Sequence, residues 1–280
     1  MGLIWDSMDA QSLNGKGISG TPVAGSPLFF DGTLWRPVSP SLSPSMSVVD
    51  DFDAFTYIAA GNLTSGQFGR LGWTKGGVGT PNVYNPGNVG LSDFGIVRVE
   101  TSAGIADRTI ISAPFNLGSP FNPASGWRGQ YFDYYFRVYL DGVVAGTAIW
   151  VGVTPTNTPV TGGNGRVGPL VGIGIYRASG GSTWVGSCFD GGSENSASLG
   201  TAITTDYQWL RIRRASATTA KFSFATTFAG LATATETELT VNTTSTHYPA
   251  VQVSNTTANI ASVVLDYFGA VITQNTTNTR

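Results

Sequence analysis

The sequence predicts an all-β protein made of two packed antiparallel sheets, and three observations predict it. Only 11% of the 280 residues are charged and only four are glutamate, while 37 are glycine, so the chain is poor in helix formers and rich in turn formers. Apolar residues reach 41% and aromatics 11%, a bulk that disordered polar chains lack. Apolar runs of strand length recur between clusters of glycine, asparagine, aspartate and serine, and no stretch carries three turns of amphipathic helix.

Residues 1–46 read as an extended arm, because Pro22, Pro27, Pro37, Pro40 and Pro44 and Gly15, Gly17, Gly20, Gly25 and Gly32 interrupt every apolar run. A small hairpin is expected around the Asp31-Gly32 turn, from the segments 26–32 and 33–37. The arm's Leu3, Ile4, Trp5, Leu28, Phe29, Phe30, Leu34 and Trp35 are too many large apolar groups to leave wet, so a partner surface is expected to cover them.

The body, 47–280, reads as strand after strand. The expected strands are 48–55, 95–101, 106–112, 131–140, 146–153, 170–177, 183–189, 209–215, 220–225, 250–253 and 261–273. Turn chemistry separates them at Asp141-Gly142, at 162–165 and at 179–181. Strand 209–215 alternates cleanly, with Leu210 and Ile212 on one face and Trp209, Arg211 and Arg213 on the other. Strand 261–273 is almost continuously apolar and suits a central position. Residues 227–239 could form a helical turn, though their threonines favour a loop or a strand.

Several classes of function lose their basis. A net charge of −2, with its densest basic cluster (Arg211, Arg213, Arg214) inside a strand pattern, gives no counterion-displacing surface for nucleic acid. A single cysteine, Cys188, excludes an intrachain disulfide framework and reads as a small buried core residue; one histidine, His247, leaves too few ligands for a structural zinc site. No apolar run reaches ~18 residues, so no membrane-inserted helix is expected. The N-terminal residues lack the basic start and long apolar run of a secretory signal. No cofactor is implied.

Catalysis finds little support. The glutamate pair Glu236 and Glu238 has the spacing of two that places both on one strand face, but the flanking aspartate of the glucanase motif is missing, so a structural role is expected. His247 lies in a proline-ended loop with no serine elbow. Asp50, Asp51 and Asp53 carry the oxygens calcium prefers, and capping of a strand start is the favoured reading over metal binding. For binding, Trp150, Tyr176, Arg177 and Trp184 lie on strands expected to be neighbours and are candidates for one glycan-binding or subunit-contact face; the competing reading makes these rings core.

An ordered set of short motifs carries a resemblance. Gly72-Trp73, Tyr84-Asn-Pro-Gly87, Gly95-Ile-Val-Arg-Val-Glu-Thr101 and Ala106-Asp-Arg-Thr-Ile-Ile111 come first. Tyr134-Tyr-Phe-Arg-Val-Tyr139, Val171-Gly-Ile-Gly-Ile-Tyr176, Ser182-Thr-Trp184, Tyr207-Gln-Trp-Leu-Arg-Ile212, Ala220-Lys-Phe-Ser-Phe224 and Val263-Val-Leu-Asp-Tyr-Phe268 follow. Together they resemble the concanavalin-A-like (laminin-G-like) jelly-roll domains of tailed-bacteriophage virion proteins, over residues 47–274. The arm segments Gly20-Thr-Pro-Val-Ala-Gly25 and Phe30-Asp-Gly-Thr-Leu-Trp-Arg-Pro37 resemble N-terminal segments of phage fibre proteins.

The resemblance implies a non-enzymatic virion-surface protein, a capsid decoration, head-fibre or tail-fibre subunit. Its partners would be other virion proteins and copies of itself, a trimer being favoured. A carbohydrate-binding receptor-recognition protein is the alternative, with host surface glycans as partner, and a polysaccharide hydrolase is the weaker one. The resemblance also implies a buried Trp209, in a strand that the family buries.

Overall fold

Alternation along each strand decides which side chains enter the core. The computed structural model shows the outcome for residues 12–13, 16–17, 28–30, 35–37, 45–50, 52, 68–69, 71–80, 82–84, 96–113, 131–140, 146–154, 171–202, 206–214, 216, 218–241 and 248–273. Contacts divide the chain into two units, Ser45–Asn275 and Met1–Pro44 with Thr276–Arg280. In the smaller unit β1 (Ser12–Leu13) pairs with β2 (Lys16–Gly17), and β3 (Leu28–Phe30) pairs with β4 (Trp35–Pro37). The second pair sets Phe30 opposite Trp35, the hairpin expected of the Asp31-Gly32 turn.

The larger unit holds β5 (Ser45–Asp50), β6 (Thr74–Val78), β7 (Asn82–Tyr84), β8 (Val97–Glu100), β9 (Arg108–Ser112), β10 (Tyr131–Tyr139), β11 (Thr147–Thr154) and β12 (Val171–Arg177). After them come β13 (Thr183–Asp190), β14 (Glu194–Thr201), β15 (Gln208–Arg214), β16 (Thr219–Ala225), a 3-10 turn (Ala229–Ala232), β17 (Thr237–Thr240), β18 (Tyr248–Asn255) and β19 (Ser262–Thr273). The first sheet runs β17-β16-β15-β10-β19-β8-β7, with β5 also paired to β19; the second runs β14-β13-β12-β11-β18-β9-β6. Every pairing is antiparallel, which makes the body a two-sheet jelly-roll sandwich.

The core lies between the sheets. From the first sheet come Tyr134, Phe136, Leu210, Ile212, Phe222 and Phe268, and from the second Ile149, Val151, Ile173, Ile175, Trp184 and Val251. Trp73 meets Phe268 edge-on, with ring centroids 5.4 Å apart. Burial pushes the Tyr134 hydroxyl far above its usual range. A buried cross-sheet hydrogen bond ties the layers together, Trp184 Nε1–H donating to Gln208 Oε1 at 2.9 Å. Cys188 is in this core, as expected, and burial pushes its thiol up to about 12.

Several expectations need correction. The opening strand ends at Asp50 rather than running to residue 55: Phe52 turns into the left-handed region (φ 54°) and its buried ring packs on Trp73. Strands β6, β7 and β14 lie outside the expected strands. β14 (Glu194–Thr201, sequence ENSASLGT) is an edge strand with almost no apolar side chains, so neither periodicity nor hydrophobicity marks it. Its register comes from the preceding turn, where the Asp190 carboxylate accepts from the amides of Ser193 (2.8 Å) and Gly192 (2.9 Å); these bonds hold its pKa below the usual value. Residues 227–239 hold both structures that their composition allowed, the 3-10 turn and then β17.

Candidate functional site

The wet face of the first sheet collects aromatic rings and charges. Alternation along β10 turns Asp133, Tyr135, Arg137 and Tyr139 outward while Phe132, Tyr134, Phe136 and Val138 go in. On β15, Trp209, Arg211 and Arg213 face the same way, and register sets Arg137 against Trp209, Tyr135 against Arg211 and Asp133 against Arg213. On the other side of β10, Arg137 faces Tyr267 of β19. The 3-10 turn is preceded by Phe228, which is 52% exposed and leans over the sheet.

The rings form a connected cluster. Trp209 lies 4.9 Å from Phe228 and 5.2 Å from Tyr267, both at steep interplanar angles, and Tyr135 lies 5.4 Å from Phe228. Tyr139 and Tyr207 extend the cluster at a 5.4 Å centroid distance. The Arg137 guanidinium sits 4.3 Å above Tyr207 and 6.0 Å from Trp209, and that of Arg211 sits 5.5 Å from Tyr135. Burial, reinforced by Asp133, pushes the Tyr135 hydroxyl up to about 12.

Ion pairs frame the rings. Arg211 grips Asp133 with both sides of its fork, Nε to Oδ1 at 2.7 Å and Nη2 to Oδ2 at 2.5 Å, and that hydrogen bonding raises the Arg211 pKa. Arg137 pairs with Asp266. The second contact depends on a β-bulge: register passes from Arg137↔Tyr267 to Val138↔Leu265, and Asp266 is the extra residue left between them. Arg213 Nη2 meets Glu236 Oε2 at 2.5 Å, and Lys221 Nζ meets Glu238 Oε2 at 3.3 Å. Among the described residues, four cations and four carboxylates thus frame the rings in equal number.

Glu236 also has Arg211 at 3.5 Å and Lys221 at 3.7 Å, so the glutamate pair serves this charge lattice. The chemistry on offer is ring stacking and hydrogen bonding. Among the described residues, no group of three or more His, Cys, Asp and Glu could hold a metal ion.

The face expected from Trp150, Tyr176, Arg177 and Trp184 does not form. Trp150 and Tyr176 are register partners on the outer side of the second sheet, whereas Trp184, at 0% exposure, and Arg177 turn to the core side. The cause is parity, since 150 and 176 lie out of phase with 177 and 184 relative to the core. Trp150 itself is buried in a small separate cluster with Ile110, Ala148 and Ala250.

Trp209 is corrected in the opposite direction: it is half-buried on the wet face, not in the core. Its own alternation with Leu210 and Ile212 indicated this, and the same periodicity in 131–139 was the signal for Tyr135 and Arg137. Phe228 and Tyr267 carried no such signal, because tertiary folding alone brings them to Trp209. Asp51, Asp53, His247, Leu3, Ile4 and Trp5 lie outside the described residues, as do the side chains of Asp50, Phe29, Phe30 and Trp35.

Fold and face together define a class: an all-β, two-sheet antiparallel jelly-roll sandwich whose first sheet carries a cluster of aromatic rings and ion pairs on its outer face. No protein-family model and no curated protein matches the chain. Among solved structures, a protein of unknown function from Shewanella oneidensis MR-1 is similar at 12% identity, with 87% of this chain and 92% of that one covered and a TM-score of 0.49. Peanut lectin, in complex with a 9mer peptide, is similar at 11% identity, with 84% and 100% covered and a TM-score of 0.49. A legume lectin-like domain from Entamoeba histolytica is similar at 13% identity, with 71% and 88% covered and a TM-score of 0.48.

Proposed function

We propose that this protein is a non-enzymatic glycan-recognition protein that binds a neutral saccharide on the outer face of its first sheet. The observation that supports this is the cluster of Tyr135, Trp209, Phe228 and Tyr267, half-open to solvent and framed by hydrogen-bonding side chains. Aromatic faces stack on the apolar side of a sugar ring, and the Arg211–Asp133 and Arg137–Asp266 pairs supply donors and acceptors for its hydroxyls. Because each cation there already has a carboxylate, an acidic sugar would have to break an ion pair to find a counter-charge. A neutral sugar needs no such exchange.

The setting we propose is a virion surface of a tailed phage, following the resemblance of the sequence. There the arm 1–46, through Leu3, Ile4, Trp5, Phe29, Phe30 and Trp35, would attach the protein to capsid or tail proteins or to its own copies in a trimer, and the body would meet host glycans. A glycan array probed with the full chain tests the binding. Neutral glycans should be retained, binding should weaken at least tenfold in Phe228→Ala, and ~1 M salt should leave it in place, because no net charge drives it. Selective retention of sialylated or uronic glycans that salt abolishes would overturn the neutral reading; no glycan retained would overturn the site.

A further inference from the structure

We infer that Arg177 and Thr147 form a buried binding site for a small carboxylate-type anion at one end of the core side of the second sheet. Arg177 shares the parity of Ile173 and Ile175, and Thr147 that of Ile149 and Val151, so both turn to the core side. They are 3% and 2% exposed. A guanidinium keeps its proton at any ordinary pH and offers five donors. Among the described residues it has one hydrogen bond, Nη1 to the Thr147 carbonyl oxygen at 3.4 Å, while Arg177 Nε and Thr147 Oγ1 are buried and have no hydrogen-bond partner there.

The chemistry of this pair is one-sided. A carbonyl dipole does not replace a counter-ion, and a buried, unpaired charge costs several kcal/mol. Burial lowers the Arg177 pKa, and no carboxylate among the described residues acts on it. The described residues on the same face of the neighbouring strands are Val253 and Asn255 on β18 and Trp184 and Gly186 on β13, none of them acidic. The two groups left over, a guanidinium Nε–H and a hydroxyl, can both donate. A planar anion with two oxygens accepts from the Nε side of the fork and from the hydroxyl at once. Near-complete burial limits it to a small one such as formate or bicarbonate.

The test is thermal unfolding of the full chain in carboxylate-free buffer, titrated with sodium formate against sodium chloride at matched ionic strength. Formate should raise Tm saturably in the wild type and chloride should not. Arg177→Met should lose the formate response and unfold at a higher Tm than the anion-free wild type, since it removes an uncompensated charge. Thr147→Val should shift the formate midpoint upward by roughly threefold to tenfold, the worth of one hydrogen bond. Broadening of the 13C-formate resonance by wild type, lost in Arg177→Met, would support direct binding. Equal responses to formate and chloride, or the same formate response in Arg177→Met, would overturn the site and leave water as the partner of these donors. If Arg177→Met does not fold, an unchanged midpoint in Thr147→Val overturns it.

Discussion

The same substitution at two tryptophans of neighbouring sequence should have very different consequences. Trp184 is wholly buried between the sheets and donates to Gln208, so Trp184→Ala empties a large core site and removes a cross-sheet hydrogen bond. Emptying such a site costs about 3–5 kcal/mol, and the lost bond adds about 1. Trp209 touches Phe228 at 4.9 Å and Tyr267 at 5.2 Å on a wet face. Each ring pair is worth ~0.5–1.5 kcal/mol, so Trp209→Ala should cost about 1–2 kcal/mol once the remaining rings close on one another. For a body of this size each kcal/mol lowers Tm by roughly 2–4 °C. Expected falls are therefore ~2–8 °C for Trp209→Ala and ~8–24 °C for Trp184→Ala, measured by near-ultraviolet circular dichroism on heating. Saccharide binding should follow the other order: at least tenfold weaker in Trp209→Ala, about 1.4 kcal/mol, while any folded Trp184→Ala protein still binds. Equal destabilisation by the two changes would place Trp209 in the core and remove the platform on which the proposed function rests.

Three further outcomes follow from the packing. A Cβ at Gly174 would stand 2.5 Å from Cε2 and Nε1 of the Trp150 indole, so Gly174→Ala should cost ~1–3 kcal/mol in urea unfolding. Combined with Trp150→Leu the two costs should be clearly less than additive, and strict additivity would show that the ring does not rest there. Cys188 should resist thiol reagents until the protein unfolds. Its raised folded pKa means that the stability it contributes is complete below about pH 9 and is lost as pH climbs towards about 12, which pH-dependent unfolding of wild type against Cys188→Ala would show. A chain beginning at Ser45 should fold with β-type circular dichroism, since every strand of both sheets lies within Ser45–Asn275; an insoluble product would refute that boundary.

How much of this was legible in sequence can be seen from β15. Its alternation assigned Leu210 and Ile212 to one face and Trp209, Arg211 and Arg213 to the other, and the structure keeps that division. At Trp209 the local period, not the family likeness, decides the side of the sheet. The expected face of Trp150, Tyr176, Arg177 and Trp184 fails for a related reason. Adjacency of paired strands does not put their residues on one face, and parity puts Trp150 and Tyr176 on the side opposite Trp184. β14 was invisible because a polar edge strand is specified by pairing and by the Asp190 turn rather than by side-chain pattern.

The sequence by itself determined the all-β class, the strands that carry the core and the inward or outward sense of each residue along them, because those depend on a period of two and on turn chemistry within a few residues. Only the tertiary structure decided which outward faces meet. Tyr135, Trp209, Phe228 and Tyr267 come from β10, β15, a turn and β19, and the bulge that aims Asp266 at Arg137 exists only when β19 pairs with β10. Long-range register joins residues more than a hundred positions apart, and no local pattern encodes it.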